Sequence, residues 1–421
     1  MQKKIYLIIA VVFISCATYL GKSDKLINYV DPFIGSGGHG HVFVGANVPF
    51  GGVQVGPTNF NKGWDWSSSY HHTDSIVKGF CHINVSGTGM SDLGELTIMP
   101  ATGKLMTGAG TQNNHMAGYS SLYYKDKEHV SVGYYKVHLE RYDIDVELTA
   151  TERVGLHKYR FPKSDQSRVI IDLGEGSADR PTETYLKKIN DTLFQGHRFS
   201  SGWARDQREY FSLIISKPVD DFILYDRHKK FKGEERKGDY VKGFLEFSTK
   251  SNENIMVKMG ISTVSSKNAL ENMMIELPHW DFSKVKKDAE KKWEEELSKI
   301  KIKTNDIKKK RVFYTAMYHT MIAPNLYHDL NGEYRGTDKI VYKDSSFTNY
   351  TLFSLWDTRI TTSPLNKWLA SAISSNPPPL IRGRRPALRY VTQAKTKPPA
   401  FIIFSSRGKK IADICLLYTS D

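Results

Sequence analysis

From about Asp24 to Ser265 the chain never sustains a helical period. In Ile144, Val146, Leu148 and Ala150, then Val154 and Leu156, every second residue is apolar. That alternation predicts a strand with one buried face. Tyr159 and Phe161 fall in the opposite phase, and Gly155 is where a bulge would shift the pattern. Val169 to Leu173, Tyr210 to Ile215, Phe222 to Tyr225, Val241 to Phe247 and Ile255 to Ile261 are further strand segments separated by turn residues. Many short strands without intervening helices predict a mainly β fold, a sandwich.

The text then changes. Val285, Ala289, Trp293 and Leu297 recur every fourth residue amid Lys and Glu, which predicts an amphipathic helix capped by Asp281 or Ser283. Val312, Phe313, Ala316, Met317 and Met321 predict a second helix, stopped by Pro324. At the other end Lys3 and Lys4 precede the apolar run Ile5 to Ile14. The run is too brief to cross a bilayer and reads as a secretory signal over residues 1–23. Phe13-Ile14-Ser15-Cys16 resembles a bacterial lipobox, with Cys16 as the lipidated residue; ordinary cleavage nearby is the alternative. Export to the periplasm, the outer membrane or the medium is the expectation, with a lipid anchor as the one link to a membrane. Cys81 and Cys415 are too far apart to suggest a disulfide framework.

The net charge of +14 is unevenly placed. Residues 359–421 hold eleven Lys or Arg against Asp413 and Asp421, a share of +9, so residues 1–358 carry +5. A mildly basic body does not demand a nucleic-acid partner.

Two stretches carry the chemistry: DPFIGSGGHGHVFVGANVPFGGVQVGP (Asp31 to Pro57), and the pair GWDWSSSYHHTD and GFCHINVSGTGMSDLGEL within Gly63 to Leu96. Glycine, indole, imidazole and carboxylate together suit a sugar pocket, with flat faces for C–H and polar tips for hydroxyls. Trp64 and Trp66 are candidate stacking faces; Asp65, Tyr70, His71, His39 and His41 are candidate hydroxyl partners. The plainer reading makes both indoles core anchors and the glycine-histidine run a tight turn. A phosphate cradle lacks its Lys-Ser/Thr pair, and a metal site on His39 and His41 needs both rings bent inward. His82, Ser86, Ser91 and Asp92 show no nucleophile-elbow pattern.

These stretches resemble the N-terminal signature of family 92 glycoside hydrolases, calcium-dependent exo-acting α-mannosidases. The resemblance continues in family order through Val132 to Pro162, SSGWARDQREYF (Ser200 to Phe211), Val257 to Asn272, FYTAMYHTMIAPN (Phe313 to Asn325), YRGTD (Tyr334 to Asp338) and FSLWDT (Phe353 to Thr358). It implies a β-sandwich of galactose-binding-like or supersandwich type over 24–265, a helical linker over 266–303, and the start of an (α/α)6 barrel over 304–358. It implies removal of mannose from glycans, α-1,2-mannosidase-like, by inversion with Ca²⁺. It places Trp356 and Asp357 in the subsite that holds the cleaved mannose, and the sandwich loops at the pocket edge. Family members often carry Cys where this chain has Ser67, which bears on linkage preference. The catalytic acid, base and most metal ligands are expected on later segments, so no catalytic or metal-ligating residue is assigned here, and this chain is expected to be inactive. After Thr358 the resemblance fades, with Arg359-Ile360 in place of an aromatic residue and Arg; 359–421 reads as a foreign, basic end. A non-catalytic sugar-binding sandwich and a peptide-N-glycanase-type amidase remain alternatives.

Overall fold

The computed structural model describes residues 25–351 and the backbone of 392–394. Cys16, Trp356, Asp357 and Cys415 lie outside the described residues, as does nearly all of the basic end. Two antiparallel sheets dominate. One has eight strands, in the order Ala46–Asn47, Gln54–Thr58, Gly79–Cys81, Thr97–Thr102, Ser164–Asp172, Val241–Thr249, Asp221–Asp226 and Lys229–Phe231. The other has nine, in the order Glu235–Gly238, Arg180–Lys188, Leu193–Ser201, Gln207–Ile215, Glu253–Ser262, Val154–Phe161, Ile144–Ala150, Tyr134–Leu139 and His129–Ser131. Their inner faces share one core: Val169 and Ile171 from the first meet Val146, Leu148, Tyr159 and Leu213 from the second. The mainly β sandwich read from alternation is the fold.

The bulge expected at Gly155 is absent. Val154–Phe161 pairs without interruption with Ile144–Ala150 on one side and Glu253–Ser262 on the other. The change of phase has another cause. Tyr159 and Phe161 face the sandwich core, whereas Val154 and Leu156 face outward into a second cluster with Met273, Leu277, Phe282 and Val285. That outer face is covered by helices α1 (Ser266–Glu276) and α2 (Phe282–Leu297), so the strand is buried on both faces there.

Helix α2 is capped by Asp281, whose carboxylate accepts from Lys284 N at 2.9 Å. Its buried stripe is Val285, Ala289, Trp293 and Leu297, as the period of four predicts. Trp293 is fully buried and its N–H donates to Asn47 O at 2.9 Å. Glu294, on the same helix, accepts from the N–H groups of Leu26 and Ile27, tying the first described turn to it. Helix α3 (Ile307–His319) packs Phe313, Tyr314, Met317 and Tyr318 against this assembly. Its carboxyl end leads to the segment 327–335. There Asp329 accepts from Ser262, Asn268 and Asn272, which joins that segment to α1 and the sandwich.

Candidate functional site

Three loops meet at one edge of the sandwich: residues 35–44, 63–74 and 86–95. The first turns back so tightly that a Cβ on Gly40 would strike the carbonyl oxygen of Gly35. The second opens at Gly63, whose φ of 112° is open only to glycine at low cost, and forms the short 3-10 turn Trp64–Trp66. The loops are pinned together at His41, whose carbonyl accepts from Gly87 N at 2.7 Å and from the Ser68 hydroxyl.

Trp64 stands at this junction. Its indole N–H donates to Gly89 O at 2.7 Å. His41 meets the ring edge-on at 4.3 Å between centroids, and His39 lies tilted at 5.0 Å. The residue still keeps 54% of its surface exposed. Asp65 Oδ1 accepts from His39 Nδ1 at 2.6 Å and lies 3.8 Å from His41 Nε2. The hydrogen bond from His39, together with its charge when protonated, holds the Asp65 carboxyl below its usual range. An orienting carboxylate on Nδ1 leaves Nε2 of exposed His39 as the outward-facing polar tip.

The other candidates divide. Trp66 stacks on His71 (4.3 Å, 24°), and its N–H donates to Asp74 at 2.9 Å. His71 is buried, with Nε2 3.3 Å from Gly38 O and Nδ1 2.8 Å from the Thr73 hydroxyl. A carbonyl only accepts, so Nε2 carries the proton. These two rings form a half-buried floor that fastens the second loop to the first. Tyr70 corrects the expectation of a hydroxyl partner for sugar. It is buried in the sandwich core, and its hydroxyl donates to Glu128 Oε2 at 3.0 Å and accepts from Lys125 at 2.8 Å. Its two polar valences are filled inside, so no face is left for a ligand.

His82 and Asp92 are not brought together as a Ser-His-Asp arrangement requires. His82 faces Leu96 O and His157, while Asp92 accepts from Ala204 N at 3.0 Å. Arg335 donates to the carbonyls of Thr263 and Lys339, and Asp338 accepts from Tyr342, so YRGTD is a locally braced hairpin.

Beneath the three loops lies a charged cluster. Arg198 Nη1 is 2.8 Å from Glu95 and 2.5 Å from Asp179, all three buried. Burial pushes the Glu95 carboxyl well up; at Asp179 burial acts the same way, but Arg198 outweighs it and holds that carboxyl low. Among the described residues no three histidine, cysteine or carboxylate side chains are grouped so as to hold a metal. An apolar cleft of about 270 Å³ is lined by Val48, Thr151, Ile275, Val285 and Leu330, away from the three loops.

Residues 29–262 match the glycosyl hydrolase family 92 N-terminal domain, and 268–376 match the family 92 catalytic domain. The second match extends past the point where the sequence reading loses the family. Residues 359–418 also match a different domain, KH-domain-like of EngA bacterial GTPase enzymes, C-terminal. A GTPase Der of Rhodopseudomonas palustris is 47% identical over 66 residues, 16% of this chain and 14% of its own. A family GH92 α-mannosidase from Bacteroides thetaiotaomicron, solved in complex with mannoimidazole, is 36% identical with a TM-score of 0.77. That match covers 80% of this chain and 45% of the other. An uncharacterized secreted glycosidase of Arthroderma benhamiae is 25% identical over 345 residues, 72% of this chain and 42% of its own. The chain thus spans less than half the length of these glycosidase relatives. By a match over more than half of its residues, the chain belongs to glycosyl hydrolase family 92.

Proposed function

We propose that the sandwich supplies one wall of an exo-α-mannosidase cleft acting on mannose-containing glycans, with Trp64, His39 and Asp65 at its edge. The observation that carries this reading is Trp64: an indole fixed at its N–H and framed by two imidazoles, yet more than half exposed. A hexopyranose presents C–H groups to such a face and hydroxyls to the polar groups beside it. The Asp65–His39 pair orients the imidazole so that Nε2 meets a hydroxyl without rotating first. His41, Trp66 and His71 support this edge from below. Trp356 and Asp357 are assigned to the same cleft on the family pattern. The complex of the Bacteroides α-mannosidase with mannoimidazole supports the substrate class.

Inverting hydrolysis needs one carboxylic acid at the leaving oxygen and one carboxylate on the opposite face, about 6.5–9.5 Å apart. No such pair is assigned within residues 25–351, and most ligands of a Ca²⁺ used by the enzyme are expected on later segments. We therefore expect no turnover by this chain. We further propose that residues 1–23 direct export, with Cys16 as the lipid-bearing residue, and that 377–421, beyond the family 92 match, is not part of the glycosidase module.

The test is binding followed by turnover. Equilibrium titration should show that the chain binds α-linked mannotriose, and that Trp64→Ala weakens this about tenfold, the worth of one stacked ring. Absence of saccharide binding by the parent chain refutes the reading. Mass spectrometry of glycopeptides incubated with chain and Ca²⁺ should show no change; loss of single hexoses would overturn the expected inactivity, and loss of whole glycans would favour an amidase.

A further inference from the structure

Trp203 is the most exposed of the described tryptophans, at 63%. It sits at the apex of a turn that is held with unusual care. Gly202 N donates to Ala204 O at 3.0 Å, closing the turn on itself. Ala204 N donates to Asp92 Oδ2 at 3.0 Å. Gly202 lies so close to the other oxygen, Asp92 Oδ1, that a Cβ there would collide with it. On the far limb Asp206 pairs with Arg208 at 3.0 Å and with Lys339 at 2.6 Å.

Asp92 is almost wholly buried, and burying a carboxyl group is costly unless it does something there. Its Oδ2 accepts from Ala204 N while Gly202 packs against the other oxygen, so the backbone beside Trp203 is braced and the turn presents that side chain to solvent. Trp293 shows the contrary case, an indole with both ring and N–H enclosed. A tryptophan left bare on a braced backbone is the form of a contact residue, because the indole offers a large flat face and has only two side-chain torsions to order when a ligand docks.

Its location gives the ligand class. The loop that supplies Asp92 is the loop that supplies Gly89 O to the indole of Trp64. These anchor points are three positions apart, at most about 11 Å of backbone. Exposed Met90 lies between them. One loop therefore mounts two bare indoles on a common edge. We propose that Trp203 is a second carbohydrate-stacking residue, taking a further hexopyranose ring of the same glycan whose first ring lies on Trp64. The inference rests on the mannose reading of the Trp64 edge.

The experiment uses the full chain with mannose, α-mannobiose and α-mannotriose as probes, read by calorimetry and by quenching of tryptophan emission. Trp203→Ala should weaken mannotriose binding about tenfold, Trp203→Phe should restore most of it, and binding of single mannose should be unchanged. Trp64→Ala should weaken all three. Circular dichroism of each variant should match the parent, since both side chains are exposed. Parent-like mannotriose affinity in Trp203→Ala, with Trp64→Ala impaired, overturns the assignment of Trp203 and leaves the mannose reading standing. A parent chain that binds none of the three probes overturns the reading and this inference with it.

Discussion

A file of buried polar groups crosses the sandwich and makes a sharp prediction about acid. His82 Nδ1 lies 2.7 Å from Leu96 O, His82 Nε2 lies 2.9 Å from His157 Nε2, and His157 Nδ1 lies 2.8 Å from the Tyr159 hydroxyl. The carbonyl end only accepts, which fixes every proton: His82 Nδ1–H donates to Leu96, His157 Nε2–H to His82, and Tyr159 O–H to His157. Both imidazoles are neutral in this arrangement. Burial brings His82 down to about 4, and burial with the neighbouring His82 puts His157 well below its ordinary 6.5. The unfolded chain binds protons below pH 6.5 and the folded chain does not until about 4. Stability is thus complete above 6.5 and lost as pH falls through that window. His82 contributes about 1.4 kcal/mol per pH unit, or roughly 3 kcal/mol over the full window, and His157 acts in the same direction. His157→Leu orphans the His82 acceptor and the Tyr159 donor, which costs about 2–5 kcal/mol at pH 8. It should also make the decline below pH 6.5 shallower. Urea midpoints followed by fluorescence at half-unit pH steps measure both. An unchanged slope in His157→Leu refutes the claim that this imidazole is kept neutral by the fold.

Glu209 tests the opposite sign. Burial first, and then the charge of Asp329, raises its carboxyl to about 8, so its favourable contribution is full below 4.5 and lost as pH rises through 8. Glu209→Gln should flatten that decline by up to about 1.4 kcal/mol per unit in the same urea titration and leave the variant at least as stable as the parent at pH 9. Asp329→Asn puts an amide N–H where only acceptors suit Ser262, Asn268 and Asn272; a loss of about 2–3 kcal/mol in the urea midpoint is expected. Glu294→Ala frees the amides of Leu26 and Ile27, which hydrogen exchange should report as loss of protection at residues 26–30, with the sandwich strands unchanged.

The sandwich was legible because alternation is a local signal, and α2 because Asp281 and the four-residue stripe are local too. Gly155 misled because nothing near it in sequence says that helices α1 and α2 will cover the outer face of its strand. The same limit sorts the aromatic loop. Trp64 and Tyr70 stand six residues apart with equal claim to a ligand, and composition ranks neither. What separates them is the chain path between. After the 3-10 turn the backbone passes through Ser67, Ser68 and Ser69, all buried, and Ser69 takes a φ of 68°, so Tyr70 enters the core. There Glu128 and Lys125 claim its hydroxyl, whereas the N–H of Trp64 is claimed by Gly89 from a loop that leaves the ring in solvent. Trp203 was passed over for the same reason, since its clamp, Asp92, lies more than a hundred residues upstream. The residue type thus states what an aromatic group can bind, and the partner taken by its polar tip decides whether its face stays free. On that argument the loop 86–95 organises the site: it holds the indole of Trp64 through a carbonyl and braces the backbone beside Trp203 through a buried carboxylate, and displacing it should disarm both at once.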